Sequence, residues 1–211
     1  MHMPARRRGG GQLMPGIDPS DSCSAPDDGE SCRDATSDGC TEIDLSIEDE
    51  RWLAIEAIGQ RIEEAVHAVA THEGLSPHFP CGISIALLSD ARQQQLNAAF
   101  RGKNAPTNVL SFPAATGAPV ADGTARPLGD ISLALETVLG ESKSEHKTPT
   151  AHVQHLVVHG VLHLLGYDHQ SDDEAEEMER LEIEILQRLG IANPYRELLP
   201  EPDERSHTAR P

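Results

Sequence analysis

The chain has 211 residues, enough for one domain with a hydrophobic core and some additional sequence. It carries 35 acidic side chains against 17 Lys and Arg. The formal net charge of -18, taken alone, argues against a nucleic-acid partner. No apolar run approaches the roughly 20 residues that span a bilayer, and no secretion signal is visible. A cytoplasmic location without membrane contact is therefore expected.

The charge is unevenly distributed along the chain. Residues 99–170 carry 5 basic against 6 acidic side chains, whereas residues 171–211 carry 5 against 12. A middle stretch that is almost neutral leaves room for a local site that binds nucleic acid.

Composition also predicts the domain organisation. Residues 1–42 are rich in Gly, Pro, Ser and Asp without apolar periodicity, which predicts a disordered N-terminal extension. Residues 43–195 are expected to form one domain, and residues 196–211 a flexible C-terminal tail.

The first predicted elements are two strands with a helix between them. Alternation of apolar and polar residues over 43–47 predicts a half-buried strand. Apolar spacing of three and four over 52–69 predicts one long amphipathic helix that ends near Gly74. The apolar, β-branched run at 82–88 predicts the second strand.

A short helix and two further strands are predicted next. Asp90 is expected to be the N-cap of a helix that continues to Phe100. Residues 107–112 and 129–135 predict two strands, separated by a Pro- and Gly-rich loop at 113–127.

Two helices close the domain. The first is predicted over residues 150–165 and ends at Gly166. The second begins with a capping box formed by Ser171 and Glu174, and Gly190 ends it. Strands and helices alternate irregularly, which predicts an α+β fold, with helices packed on a single mixed sheet of about four strands.

Histidines recur on one face of the first of these helices. His155, His159 and His163 are spaced by four, each step rising roughly 6 Å, so one metal ion can be held by two neighbours but not by the first and last. A turn at Gly166 would bring His169 to the C-terminal end of this face. We therefore predict a metal site at His159, His163 and His169, with His155 as a supporting or packing residue.

Three imidazoles leave the fourth tetrahedral position for water, which is typical of catalytic zinc, and the ion would lower the pKa of that water to about 7. Two alternatives are a stripe of hydrogen-bonded core histidines and a structural zinc site with Asp168 as fourth ligand. The spacing also matches the metzincin peptidases, but Gly160 stands where they have their glutamate base. A metallopeptidase is therefore the weaker alternative.

Three motifs lie at residues 100–113 (FRGKNAPTNVLSFP), 128–131 (LGDI), and 159–169 with 172–174. They resemble the motifs of the YbeY family, whose members are bacterial metal-dependent endoribonucleases of ribosomal RNA maturation and ribosome quality control. They occur in the family's order, and the resemblance covers about residues 43–195.

The resemblance implies that one Zn²⁺ ion is held by His159, His163 and His169, and that Arg101 is a catalytic residue in the cleft beside it. Independently of the family, a guanidinium in a Gly-containing loop suits phosphate, because it binds two oxygens in a planar fork.

Two further residues of these motifs are candidates for substrate binding. Lys103 follows Arg101 in the same loop, and Asp130 belongs to the Gly-Asp step before a predicted strand. The chain has few aromatic side chains for base stacking, so contacts to the RNA backbone should dominate.

The leading hypothesis is a zinc-dependent, single-strand-specific endoribonuclease that acts in ribosomal RNA maturation, at the 3′ end of 16S rRNA, and in ribosome quality control. Its implied partners are ribosomal RNA and ribosomal proteins or ribosome-associated factors. The second hypothesis is a ribosome-assembly adaptor with a structural zinc site, which the acidic surface favours.

Overall fold

The structure is a computed structural model that describes residues 41–78, 80–115 and 125–195. The C-terminal tail, most of the predicted N-terminal extension and much of the Pro- and Gly-rich loop lie outside these ranges, so their predicted character stays a prediction. No helix in the described ranges is long and apolar enough to cross a membrane.

Four strands and five α-helices form the described domain. The strands are β1 (Glu42–Ile47), β2 (Cys81–Leu88), β3 (Val109–Pro113) and β4 (Arg126–Ala134). The helices are α1 (Ile58–Ala70), α2 (Asp90–Arg101), α3 (Leu135–Ser144), α4 (Pro149–Leu164) and α5 (Asp172–Arg188). Short 3-10 helices lie at Glu50–Ala54 and Ser76–His78.

The strands form one mixed sheet in the order β1-β2-β4-β3. β1 is parallel to β2 and β2 to β4, whereas the edge strand β3 is antiparallel to β4. The predicted α+β fold with a single mixed sheet of about four strands is confirmed.

One face of the sheet supplies the main core. Ile85 and Ile131 are directly paired across β2 and β4, and both are almost fully buried. Val157 and Val161 of α4 belong to the same apolar cluster, together with side chains of α1 and α5. Burial of each such side chain contributes about 1.5–3 kcal/mol, so packing of α4 on the sheet is a main source of stability.

The prediction of one long helix over residues 52–69 is wrong. A 3-10 turn carries Trp52, and α1 begins only after Ala57, which has a left-handed φ of 52°. The indole of Trp52 is fully buried and its Nε1 donates to the carbonyl of Leu88 at 3.0 Å. With Trp52 anchored at the end of β2, the chain turns before α1 begins. The helix ends at Ala70, whereas the sequence predicted an end near Gly74.

The prediction that Asp90 is the N-cap of α2 is also wrong. The contacts that Asp90 makes instead explain the start of α3, a helix that the sequence did not predict. The N-cap of α2 is Ser89, whose hydroxyl accepts from the amide of Arg92. Asp90 accepts from the amide and hydroxyl of Thr137 in α3, at 3.0 and 2.8 Å. In return, Glu136 accepts from the amide of Asp90 at 2.8 Å. The N-termini of α2 and α3 therefore cap each other.

Candidate metal centre

The turn after α4 reverses the chain beside the histidine-bearing face of the helix. Gly166 has a φ of 97°, and its amide donates to the carbonyl of His163 at 3.1 Å. The amide of Tyr167 donates to the carbonyl of Leu162 at 3.1 Å, which completes a Schellman motif. The residues that follow then return along the helix toward His169.

This geometry brings His159, His163 and His169 together. One ligand atom from each residue lies within 4.8 Å of the other two, an arrangement that could hold a metal ion. The Nε2 atoms of His159 and His163 are 3.0 Å apart, and the His169 ring lies 5.7 and 5.1 Å from their rings by centroid. Because His169 is exposed and the other two are half-buried, the cluster opens to solvent on one side.

The second nitrogen of each half-buried ring already has a partner. His163 Nδ1 donates to the carbonyl of Tyr167 at 2.9 Å, and His159 Nδ1 donates to Glu182 Oε1 at 2.6 Å. Both Nε2 atoms then carry lone pairs directed into the same space, which a cation could occupy. Burial and the neighbouring His159 lower the pKa of His163, which favours the neutral form that binds metal.

Glu182 is a functional candidate that the sequence did not reveal. It lies on α5, is fully buried, and accepts hydrogen bonds from His159, His155 and the hydroxyl of Tyr195. Burial alone would raise the pKa of Glu182, but the hydrogen bonds from His155 and His159 outweigh it and lower the value to about 2. An ionised carboxylate behind a histidine ligand is the usual way to fix its tautomer and orientation.

The residues that the alternatives involve lie outside the cluster. His155, one turn before His159, contacts Glu182 Oε2 at 3.3 Å. The carboxylate of Asp168 accepts from the amide of His169 at 2.8 Å and from Gln170 Nε2 at 2.5 Å, and it is not among the residues that could share the ion.

Gly160 has a packing reason to be glycine. A Cβ placed there would lie 3.0 Å from Ile131 Cδ1 and 3.2 Å from Ser111 Oγ. Ser111 Oγ also donates to the Gly160 carbonyl at 3.2 Å, so α4 is in direct contact with the sheet at this residue. A glutamate has no room here, which weakens the metallopeptidase hypothesis.

We expect Gly160→Ala to lower the free energy of unfolding by about 1 kcal/mol. Overpacking of a well-packed core costs about 1–3 kcal/mol, and the better helix propensity of alanine offsets up to about 1 kcal/mol. Gly140→Ala in α3 is the matched control, because a Cβ there meets no atom within 4 Å, and it should stabilise by up to about 1 kcal/mol. Equal effects of the two substitutions in urea unfolding would contradict this interpretation.

Asp130 lies on the opposite face of the sheet from the histidine cluster. The side chain of its neighbour Ile131 faces Gly160 of α4, and successive residues of a strand point to opposite faces. Its cross-strand partner is Phe112, whose ring packs edge-on against Phe100 of α2 at 5.1 Å between centroids.

Arg101 and Lys103 are exposed at the C-terminal end of α2 and in the loop that follows. Within the described ranges, no hydrogen bond or ion pair engages the Arg101 guanidinium. The structure thus brings the three histidines together and does not bring Arg101, Lys103 or Asp130 into contact with them. The roles of these residues stay predictions.

Comparison with known proteins identifies the family. A family model described as Endoribonuclease YbeY matches residues 44–190. The Endoribonuclease YbeY of Azorhizobium caulinodans is 47% identical over 155 residues, covering 73% of this chain and 96% of that protein. That of Nitrobacter hamburgensis is 50% identical over 152 residues, covering 69% and 77%. A Thermotoga maritima protein solved in solution is 22% identical, covers 77% of this chain and 99% of its own, and has a TM-score of 0.43.

These matches place the chain among the hydrolases, as a nuclease. It belongs to the Endoribonuclease YbeY family, because the family model covers well over half of the chain. The resemblance inferred from the three motifs is therefore confirmed, as is the expected class of enzyme.

Proposed function

We propose that this chain is a zinc-dependent endoribonuclease that cleaves single-stranded ribosomal RNA during maturation of the 3′ end of 16S rRNA and in ribosome quality control. The observation that carries the proposal is the three-histidine cluster, open to solvent, in a chain of this family. Ribosomal proteins or ribosome-associated factors in the cytoplasm are its proposed partners.

In this proposal His159, His163 and His169 hold one zinc ion through ring nitrogens. A bound zinc ion would supply Lewis-acid chemistry, stabilising the negative charge that develops on the scissile phosphodiester. The guanidinium of Arg101 is proposed to bind the same phosphate. Lys103 is proposed to bind a neighbouring phosphate, and Asp130 to be a further substrate contact.

The carboxylate nearest the cluster is not available to accept a proton from the substrate. Glu182 is fully buried, and its oxygens already accept from two histidines and a tyrosine. Its proposed role is therefore to orient His159.

The second candidate is a ribosome-assembly adaptor in which the zinc site is structural. The net charge of -18 favours it, because an acidic surface suits basic ribosomal proteins better than RNA. A metallopeptidase ranks below both, since Gly160 leaves no space for a glutamate base.

The test is cleavage of a labelled single-stranded RNA by the purified chain before and after metal removal, with metal content measured by mass spectrometry. We expect the metal-free chain to be inactive and equimolar zinc to restore cleavage. Arg101→Ala should bind zinc normally and cleave about 100-fold to 1,000-fold more slowly, the usual loss when one charge-stabilising group is removed.

Arg92→Ala is the control, because Arg92 is an exposed arginine of α2 that pairs with Glu48. Unfolding with and without chelator separates the two main candidates: a structural site loses most of its stability, whereas a catalytic site loses activity first. Undiminished RNA cleavage by the metal-free chain, or hydrolysis of casein instead of RNA, would contradict the proposal.

A further inference from the structure

A cleft opens on one side of the turn that follows α4, and His163 of the metal cluster is part of its wall. It has a volume of about 560 Å³ and lies between the end of β3, the start of β4 and the C-terminal end of α4. A chain bound in this cleft would therefore reach the metal cluster from the β3–β4 side.

The charge of this cleft differs from that of the chain. None of the described residues that line it is acidic, although the chain has 35 Asp and Glu. Arg126, the first residue of β4, lines it together with His78 and His163. Arg126 is exposed, and within the described ranges its guanidinium has no hydrogen bond or ion pair, so it can bind an anion.

The cavity on the other side of the same turn is lined by acidic residues. A smaller cavity of about 280 Å³ shares His78 and Gly166 with the cleft, but it is lined by Asp168, Glu174 and Glu177. Like-charge repulsion disfavours a phosphate chain on that side. The two sides of the turn thus define one favourable approach for an anionic polymer.

We infer that the sugar-phosphate backbone of the RNA lies in the cleft on the Arg126 side, and that Arg126 binds one of its phosphates next to the nucleotide at the histidine cluster. This inference rests on the proposed function. A guanidinium binds phosphate through two parallel hydrogen bonds, which would fix the position of the strand relative to the metal.

The rest of the lining fits a strand held by its backbone. Pro113, Ala114, Pro127 and Leu128 offer apolar surface, and no Phe, Tyr or Trp is among the described lining residues. Bases bound there find no large aromatic side chain to stack on, so the phosphate contact carries a larger share of the binding and recognition tolerates different sequences.

The test is steady-state cleavage of a short labelled oligouridylate by the zinc-loaded protein over a series of salt concentrations. Arg126→Gln is expected to raise KM about tenfold and to leave kcat within about twofold, because the contact positions the strand and does not touch the reacting bond. The slope of log KM against log salt should fall by about 0.7, the value for one phosphate contact to a single strand. Arg126→Lys should keep most of this slope.

Two control variants lie outside the cleft. Arg92→Gln removes an exposed arginine elsewhere, and Glu177→Gln removes an acid from the opposite cavity; both should leave KM within about twofold. If the wild type cleaves and Arg126→Gln keeps its KM and salt slope, the inference about Arg126 is overturned and the proposed function stands. If the wild type does not cleave RNA, both fail together.

Discussion

Replacing His163 with alanine is expected to abolish stoichiometric zinc binding and to slow RNA cleavage by at least about a thousandfold. Loss of metal chemistry removes several kcal/mol of transition-state stabilisation, and a thousandfold corresponds to about 4 kcal/mol. The structural reason is that the Nε2 atom of His163 lies 3.0 Å from the Nε2 atom of His159. Without His163 only two of the three predicted ligands remain, too few to hold the ion. Metal content and single-turnover cleavage measured on the same preparation test this expectation.

The control for this substitution is His67→Ala, because His67 is an exposed histidine in the last turn of α1. His163→Ala should also unfold at the temperature of the metal-free wild type, since a bound ion stabilises only the protein that can bind it. If His163→Ala unfolds at a temperature far below that of the metal-free wild type, it has lost packing as well. The test is then made with His163→Gln instead. Full zinc binding and wild-type cleavage by a folded variant would refute the predicted ligand set.

The proximity of the three histidines was predictable because every contact that produces it is local in sequence. Helix periodicity places His159 and His163 one turn apart on the same face. Gly166 then takes the left-handed conformation that ends the helix, and the chain reaches His169 three residues later. The same holds for the capping box of Ser171 and Glu174, where each side chain bonds to the other's backbone.

Features that depend on distant partners could not be predicted in this way. α3 begins directly where β4 ends and has no side-chain cap of its own, so the local sequence gives no sign of a helix start. The stabilising carboxylate comes from Asp90, 47 positions away from the Thr137 amide that it accepts from. The break before α1 likewise follows from the hydrogen bond of Trp52 to the end of β2.

Glu182 belongs to the same group of features. On α5 it lies between residues of the apolar stripe and looks like an ordinary acidic residue of an acidic helix. Only the packing of α5 against α4 brings it to His159, 23 positions earlier. Sequence reasoning therefore found the histidine cluster but not the carboxylate behind it.

The effect of Glu182→Gln should be a metal affinity that is about 10–100-fold lower, with a smaller loss of stability of about 1–3 kcal/mol. The amide keeps the shape of the side chain, but its NH₂ group cannot accept from histidine, so one ring loses its hydrogen bond. His159 can then rotate or change tautomer, and its Nε2 is no longer held toward His163. Zinc affinity by chelator competition and urea unfolding separate the two effects.

Glu184→Gln is the matched control, because Glu184 lies on the same helix and contacts His72 and Arg180 rather than the cluster. It should leave zinc affinity unchanged, since neither of its partners is a predicted ligand. Tyr195→Phe removes only one of the three donors to Glu182 and should have an intermediate effect on affinity. If Glu182→Gln loses stability but binds zinc as tightly as the wild type, the carboxylate only supports packing between α4 and α5, and orientation of His159 must come from the helix alone.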